Sequence, residues 1–144
     1  MAELHLTLGI FVLSANLLAG LWGLVAWLTR RPSTIFWYLL RAAQLSIGVQ
    51  VLLGAILLVT NHRASEDLHY LYGVLPLVIM LTTEMMRVGA AQLVVGDTDY
   101  EKLPEADARG LALQIFIAET RVMALGSLII AALALRAGIT SGGL

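Results

Sequence analysis

The chain has 144 residues, of which 59% are hydrophobic and 13% are charged. Soluble domains are about 45–50% apolar and about 25% charged, so this composition predicts an integral membrane protein whose main partner is the lipid bilayer. The net charge of −1 gives no electrostatic basis for binding nucleic acid. The absence of cysteine excludes disulfides, thiolate metal sites and iron–sulfur clusters.

Four apolar segments are each long enough to cross a bilayer as a helix, which requires about 20 residues. They span about 4–28, 34–60, 68–95 and 108–137, and short polar segments separate them. Short connections between successive spans predict an all-α, up-down-up-down four-helix bundle that forms a single membrane domain over residues 1–144. The apolar runs are continuous, whereas the strands of a membrane β-barrel alternate with period two.

Basic residues are distributed unevenly between the two ends of the predicted bundle. Arg63 and Arg136 lie at one end. The other end, which carries the first and third loops, holds the rest: Arg30, Arg31, Arg41, Arg87, Lys102, Arg109 and Arg121. The positive-inside rule therefore predicts that the first and third loops are cytoplasmic and that both termini are extracytoplasmic. We expect a multi-pass protein of the plasma membrane or inner membrane.

Charged residues also occur well inside three of the apolar segments, and we call them the charged tier. On each of the three helices, these charges lie about 27–29 Å from the end of the bundle opposite the first and third loops. Three positive and two negative charges nearly balance, as expected of ion pairs near lipid. The tier either fixes the helix register or forms a quinone-headgroup site, an anionic-ligand site or the end of a proton path. Its members are Arg41, Glu84, Arg87, Glu119 and Arg121.

The three histidines, His5, His62 and His69, lie at the end of the bundle opposite the first and third loops. His5 is near the start of the first span and His69 is near the start of the third. These two helices run in the same direction and are diagonal neighbours in an up-down bundle, so their imidazoles suit the two faces of a haem. Two alternatives remain: imidazoles bonded to water or a loop carbonyl, and a zinc or copper site that includes Asp67.

Gly73 lies one turn beyond His69, where it leaves room for a flat cofactor or a close helix.

Two segments of the chain, one of which contains His69, resemble part of a known family. The segment Gln50–Gly54, followed after a short loop by Leu68-His69-Tyr70-Leu71-Tyr72-Gly73, resembles part of one half of heme A synthase. Those halves are four-helix bundles that bind b-type haem, and the resemblance implies that His69 is a ligand. The family's Glu-x-x-His-Arg motif has no counterpart here, since Glu84-Met85-Met86-Arg87 keeps only its ends. The predicted cofactor-binding residues are His69, His5, Gly73, Tyr72 and Gln50.

Three functions are compatible with these patterns. The first is a small membrane redox subunit that binds haem b, with His69 and His5 on the haem iron, and exchanges electrons with a quinone near the charged tier. The second is a non-catalytic scaffold, either an accessory subunit of a membrane complex or a homo-oligomer, which predicts a filled core beside His69. The third is a transporter, which Pro76 inside the third span weakly supports. No Gly-x-Ser-x-Gly elbow is present, and we assign no catalytic residue.

Overall fold

The computed structural model describes residues 2–60, 67–99 and 102–140, which form four long helices. They are α1 (Ala2–Leu28), α2 (Thr34–Val59), α3 (Leu68–Val95) and α4 (Glu105–Thr140). The predicted all-α arrangement of four helices is therefore confirmed. Helix α4 has 36 residues and extends past the predicted 108–137 at both ends. It begins earlier because Pro104 is tolerated at a helix start and because Glu105 and Asp107 complement the positive N-terminal dipole.

The turn after α1 reverses the chain within a few residues. Arg30 adopts a left-handed conformation with φ 52°. The Arg31 N–H donates to the Ala26 carbonyl at 3.0 Å, and the Arg30 N–H donates to the Trp27 carbonyl at 3.1 Å. This pair of bonds is a Schellman motif, which satisfies the last carbonyls of a helix, and Pro32 then prevents the helix from continuing.

The helices form a closed ring with one weak side. Helix α1 packs on α2 and α4, and α3 packs on α4, whereas α2 and α3 contact each other sparsely. The starts of α1 and α3 lie beside the ends of α2 and α4, so successive helices alternate in direction. We call this end, which contains His5 and His69, the histidine end. The opposite end, which contains Arg41 and Arg87, is the arginine end.

Most large apolar side chains face outward, and the buried core is small. This distribution suits a bundle surrounded by lipid, since hydrocarbon does not penalise exposed apolar side chains. Each of the four helices is also long and apolar enough to cross a membrane. Together these features indicate a multi-pass integral membrane protein. The core has one cluster at Phe36, Leu40 and Met123 and another at Val12, Ile47 and Ile130.

Candidate functional site: a cavity at the histidine end

A cavity of about 700 Å³ occupies the histidine end, and all four helices line it. Small-molecule and cofactor sites have volumes of about 300–1,000 Å³, with mostly apolar walls and a few convergent polar groups. This cavity has that character, because most of its lining side chains are aliphatic. The side chains that bring polar groups to it belong to Glu3, His5, Gln50, His69, Tyr70 and Tyr72.

The cavity lies beside the sparse contact between α2 and α3, away from the hydrogen bonds that join these helices. Near the arginine end the two helices are held together by Glu84, which accepts hydrogen bonds from Arg41 at 2.5 Å and from Gln44 at 2.8 Å. A Cβ atom added at Gly73 would meet nothing within 4 Å. Gly73 therefore contributes open volume here, and no neighbouring helix packs against it.

His5 and His69 face each other across this cavity. Their ring centroids are 6.0 Å apart and their planes are inclined at 68°. A metal bound to one nitrogen of each imidazole, at about 2 Å from each, would place the two ring centres roughly 6 Å apart. The ring separation is thus the one that two imidazoles on a single metal would have, as in a bis-histidine haem.

The imidazole of His69 is oriented by the end of α4. Its Nδ1 lies 3.0 Å from the main-chain carbonyl oxygen of Ala137. This oxygen also accepts a hydrogen bond from the hydroxyl of Thr140 at 3.1 Å, and a carbonyl has two lone pairs, so it can accept the Nδ1–H as well. A metal-ligating histidine almost always donates its other ring N–H to a carbonyl or carboxylate, and this hydrogen bond leaves Nε2 free. Ala137 is a contributor that the sequence analysis missed.

The imidazole of His5 is held between α1 and α2. Its Nε2 lies 3.4 Å from the Nε2 of Gln50, at the long end of the range for a hydrogen bond. Two glycines permit this approach. A Cβ at Gly54 would lie 3.2 Å from Cε1 of His5, and a Cβ at Gly9 would lie 3.1 Å from Nε2 of Gln50. Both distances are tighter than ordinary van der Waals contact, so any larger residue requires the imidazole or the amide to move.

Two polar atoms of this pair are unsatisfied. Nδ1 of His5 and Oε1 of Gln50 are buried and have no hydrogen-bond partner among the described residues. Leaving a buried donor or acceptor unpaired costs about 1–3 kcal/mol. Both side chains line the cavity, so a molecule within it is in position to satisfy these atoms.

All five residues predicted to bind a cofactor line the same cavity: His69, His5, Gly73, Tyr72 and Gln50. His62 lies outside the described residues. Within residues 2–60, 67–99 and 102–140, no group of three or more His, Asp or Glu side chains is placed to hold a metal ion. This part of the chain therefore offers two facing imidazoles, whereas a zinc site requires three or four protein ligands.

The arginine end contains most of the predicted charged tier as one ion-paired cluster, which we call the arginine cluster. Glu84 of α3 accepts from Arg41 of α2 at 2.5 Å and from Arg87 at 2.7 Å. Arg87 also donates to Glu119 of α4 at 2.7 Å. The guanidinium groups of Arg41 and Arg87 each lie 5.9 Å from the centroid of the Trp37 ring, within reach of a cation–π interaction. The cluster joins three helices at one depth, which favours its interpretation as a register-fixing tier.

Arg121 lies outside the arginine cluster, contrary to the grouping expected from its depth. It is exposed and forms no ion pair with any residue that the structure describes. Residues two apart on a helix project to different faces, so Glu119 and Arg121 do not reach the same neighbours. Trp37 was missed, although its position four residues before Arg41 places the two side chains on one face of α2.

Comparisons with protein families, with curated proteins and with solved structures find no match for this chain. Function is therefore inferred from the geometry of the cavity. Its strongest feature is the pair of imidazoles that two diagonal helices bring to 6.0 Å.

Proposed function

We propose that this protein is a small membrane redox subunit that binds b-type haem in the cavity at the histidine end. The imidazoles of His69 and His5 are the groups that would face its iron. The observation that carries the proposal is the 6.0 Å separation of the two imidazoles across a cavity of cofactor size. The resemblance of the segments 50–54 and 68–73 to one half of heme A synthase supports the same role for His69.

The chain's own residues hold and shield the cofactor. The Ala137 carbonyl fixes the ring of His69 and its tautomer through Nδ1. Gly73 leaves open space one turn farther along α3, and the aliphatic walls exclude water. When bound, haem supplies reversible one-electron chemistry, whose reduction potential depends on the axial ligands and on burial.

The redox partner in this proposal is a quinone at the arginine end. The carboxylates of Glu84 and Glu119 are already occupied by ion pairs. The side chain of Arg41 is 54% exposed and carries further N–H donors that can reach a quinone carbonyl. The excess of basic residues at this end supports a cytoplasmic location for the loops between α1 and α2 and between α3 and α4, in the plasma or inner membrane.

A second candidate is a non-catalytic accessory subunit or homo-oligomer. The arginine cluster favours it, because ion pairs that join α2, α3 and α4 are sufficient to fix the packing of a scaffold. The cavity favours haem binding instead, because a scaffold predicts a filled core beside His69. Transport has the weakest support, since α3 continues as a helix through Pro76.

The experiment is a visible absorption spectrum of the protein purified in mild detergent from haem-replete cells, first oxidised and then reduced with dithionite. We expect a Soret band that shifts on reduction, together with visible bands of the reduced haem. His69→Ala should abolish them, whereas Leu71→Ala, at an exposed position of the same helix, should retain them. Imidazole added to His69→Gly should restore part of the absorbance, which separates loss of a ligand from misfolding. Colourless wild-type protein, or full haem in His69→Ala, would contradict the proposal.

A further inference from the structure

We infer that the two imidazoles are unequal: His69 is the residue that would hold the iron, and Gln50 holds His5 back from the opposite position, which leaves that position to a small neutral molecule. The inference rests on the proposed haem binding and adds a ligand class, small diatomic gases, to the same site. The basis of the inference is which ring nitrogen of each histidine already has a hydrogen-bond partner.

The two nitrogens of an imidazole differ in how closely a flat macrocycle can approach them. Nε2 is flanked on both sides by ring C–H groups, which leave room for a porphyrin plane. Nδ1 is next to the ring carbon that carries Cβ, so the side chain itself meets the macrocycle. A histidine therefore binds haem iron most easily through Nε2, with Nδ1 donating to a second partner.

His69 satisfies this requirement. Its Nδ1 is paired with the Ala137 carbonyl at 3.0 Å, a good hydrogen-bond distance. Nε2 is the nitrogen that remains for the metal. Because the carbonyl belongs to the last turn of α4, the ring is fixed by main chain and does not depend on another mobile side chain.

His5 has the opposite arrangement. Its Nε2 is the nitrogen that faces Gln50, and its Nδ1 is the buried atom without a partner. The orientation of the Gln50 amide does not alter this, since either its NH₂ or its carbonyl would engage Nε2. To bind iron without hindrance, His5 must leave Gln50 and turn within the narrow space beside Gly54, where Cε1 is already close to α2.

Gln50 thus holds His5 back from the metal position opposite His69. A small ligand that enters the cavity competes with an imidazole whose favourable nitrogen is engaged elsewhere. The measured affinity for such a ligand depends on the fraction of molecules in which His5 does not occupy the position. Releasing His5 from Gln50 should therefore weaken the binding of the small ligand.

Carbon monoxide is the probe, titrated into the dithionite-reduced, haem-loaded protein in mild detergent. The wild-type protein should give a complete carbon monoxide difference spectrum. Gln50→Leu should lower the apparent affinity about tenfold, because the freed imidazole would occupy the position in most molecules. Gln92→Leu, which removes an exposed amide from a different helix, α3, is the matched control and should bind carbon monoxide like the wild type.

His5→Ala gives an independent test that does not depend on how Gln50→Leu folds. It should keep its haem, unlike His69→Ala, and should bind carbon monoxide at least as tightly as the wild type. Haem-bearing wild-type protein that gives no carbon monoxide difference spectrum would overturn this inference and leave haem binding intact. Loss of haem in His5→Ala, or unchanged affinity in Gln50→Leu, would also overturn it. Wild-type protein without haem would overturn the proposed function as well.

Discussion

The two ends of the bundle satisfy their buried polar groups in different ways. At the arginine end, Glu84, Arg87 and Glu119 satisfy one another at 2.7 Å across two helices. At the histidine end, His5 and Gln50 each retain a buried atom without a partner. The ion pairs are complete among themselves, although the buried Oγ1 of Thr120, beside Glu119, has no partner among the described residues. The unpaired atoms of His5 and Gln50 differ from it because both side chains line a cavity, where a bound molecule could reach them.

The largest effect should come from breaking the arginine cluster. Glu84→Gln removes the charge shared by Arg41 and Arg87 and leaves a partly buried guanidinium with fewer partners. We expect a loss of about 3 kcal/mol in the free energy of unfolding, at the low end for buried pairs because Arg41 is half exposed. Unfolding by SDS in mixed micelles measures it.

The control for Glu84→Gln is Glu105→Gln, which breaks an exposed pair with Arg109 whose side chains are 81% and 78% exposed. Such pairs contribute about 0–1 kcal/mol. Equal losses in the two variants would show that the arginine cluster stabilises the fold no more than a surface ion pair.

A smaller effect should distinguish two of the glycines that line the cavity, Gly54 and Gly73. Alanine gains up to about 1 kcal/mol over glycine inside a helix, and Gly73→Ala should show this gain because its surroundings are open. Gly54→Ala has the same advantage but must displace His5, and overpacking costs about 1–3 kcal/mol. Gly54→Ala should therefore be the less stable variant in the same SDS titration. The reverse order would mean that Gly54 does not position His5.

The smallest effect should follow from Arg121→Ala. Arg121 is exposed and outside the arginine cluster, so its removal should change the free energy of unfolding by no more than about 0.5 kcal/mol. Arg87→Ala, which deletes two ion pairs, is the comparison and should be clearly destabilised. If both variants lose the same stability, Arg121 has a partner in the membrane that the isolated chain does not show.

The sequence predicts the helices well because a hydrocarbon solvent requires continuous apolar segments. It also predicts depth, which is why four members of the charged tier meet and why His5 and His69 face each other. Rotation about the helix axis is harder to predict. Lipid is as apolar as a protein core, so a helix such as α2 carries no apolar stripe that marks its inner face.

Other features depend on tertiary structure. The separation of α2 from α3 follows from packing that no single segment encodes, and the Ala137 carbonyl is a main-chain group common to every residue. The exclusion of Arg121 could have been predicted, because a spacing of two from Glu119 directs the side chains to different faces. The depth of Arg121 along α4 does not determine the face of the helix to which its side chain projects, so depth alone was not a sufficient criterion.

The sparse contact between α2 and α3 also bears on how the protein is assembled. The cavity lies beside this sparse contact, so under the proposed function a haem could enter it from the side, through the hydrocarbon, without unfolding either helix. The haem would then be loaded after membrane insertion is complete. Biogenesis of the chain and delivery of its cofactor would be separate steps, with the bilayer as the reservoir.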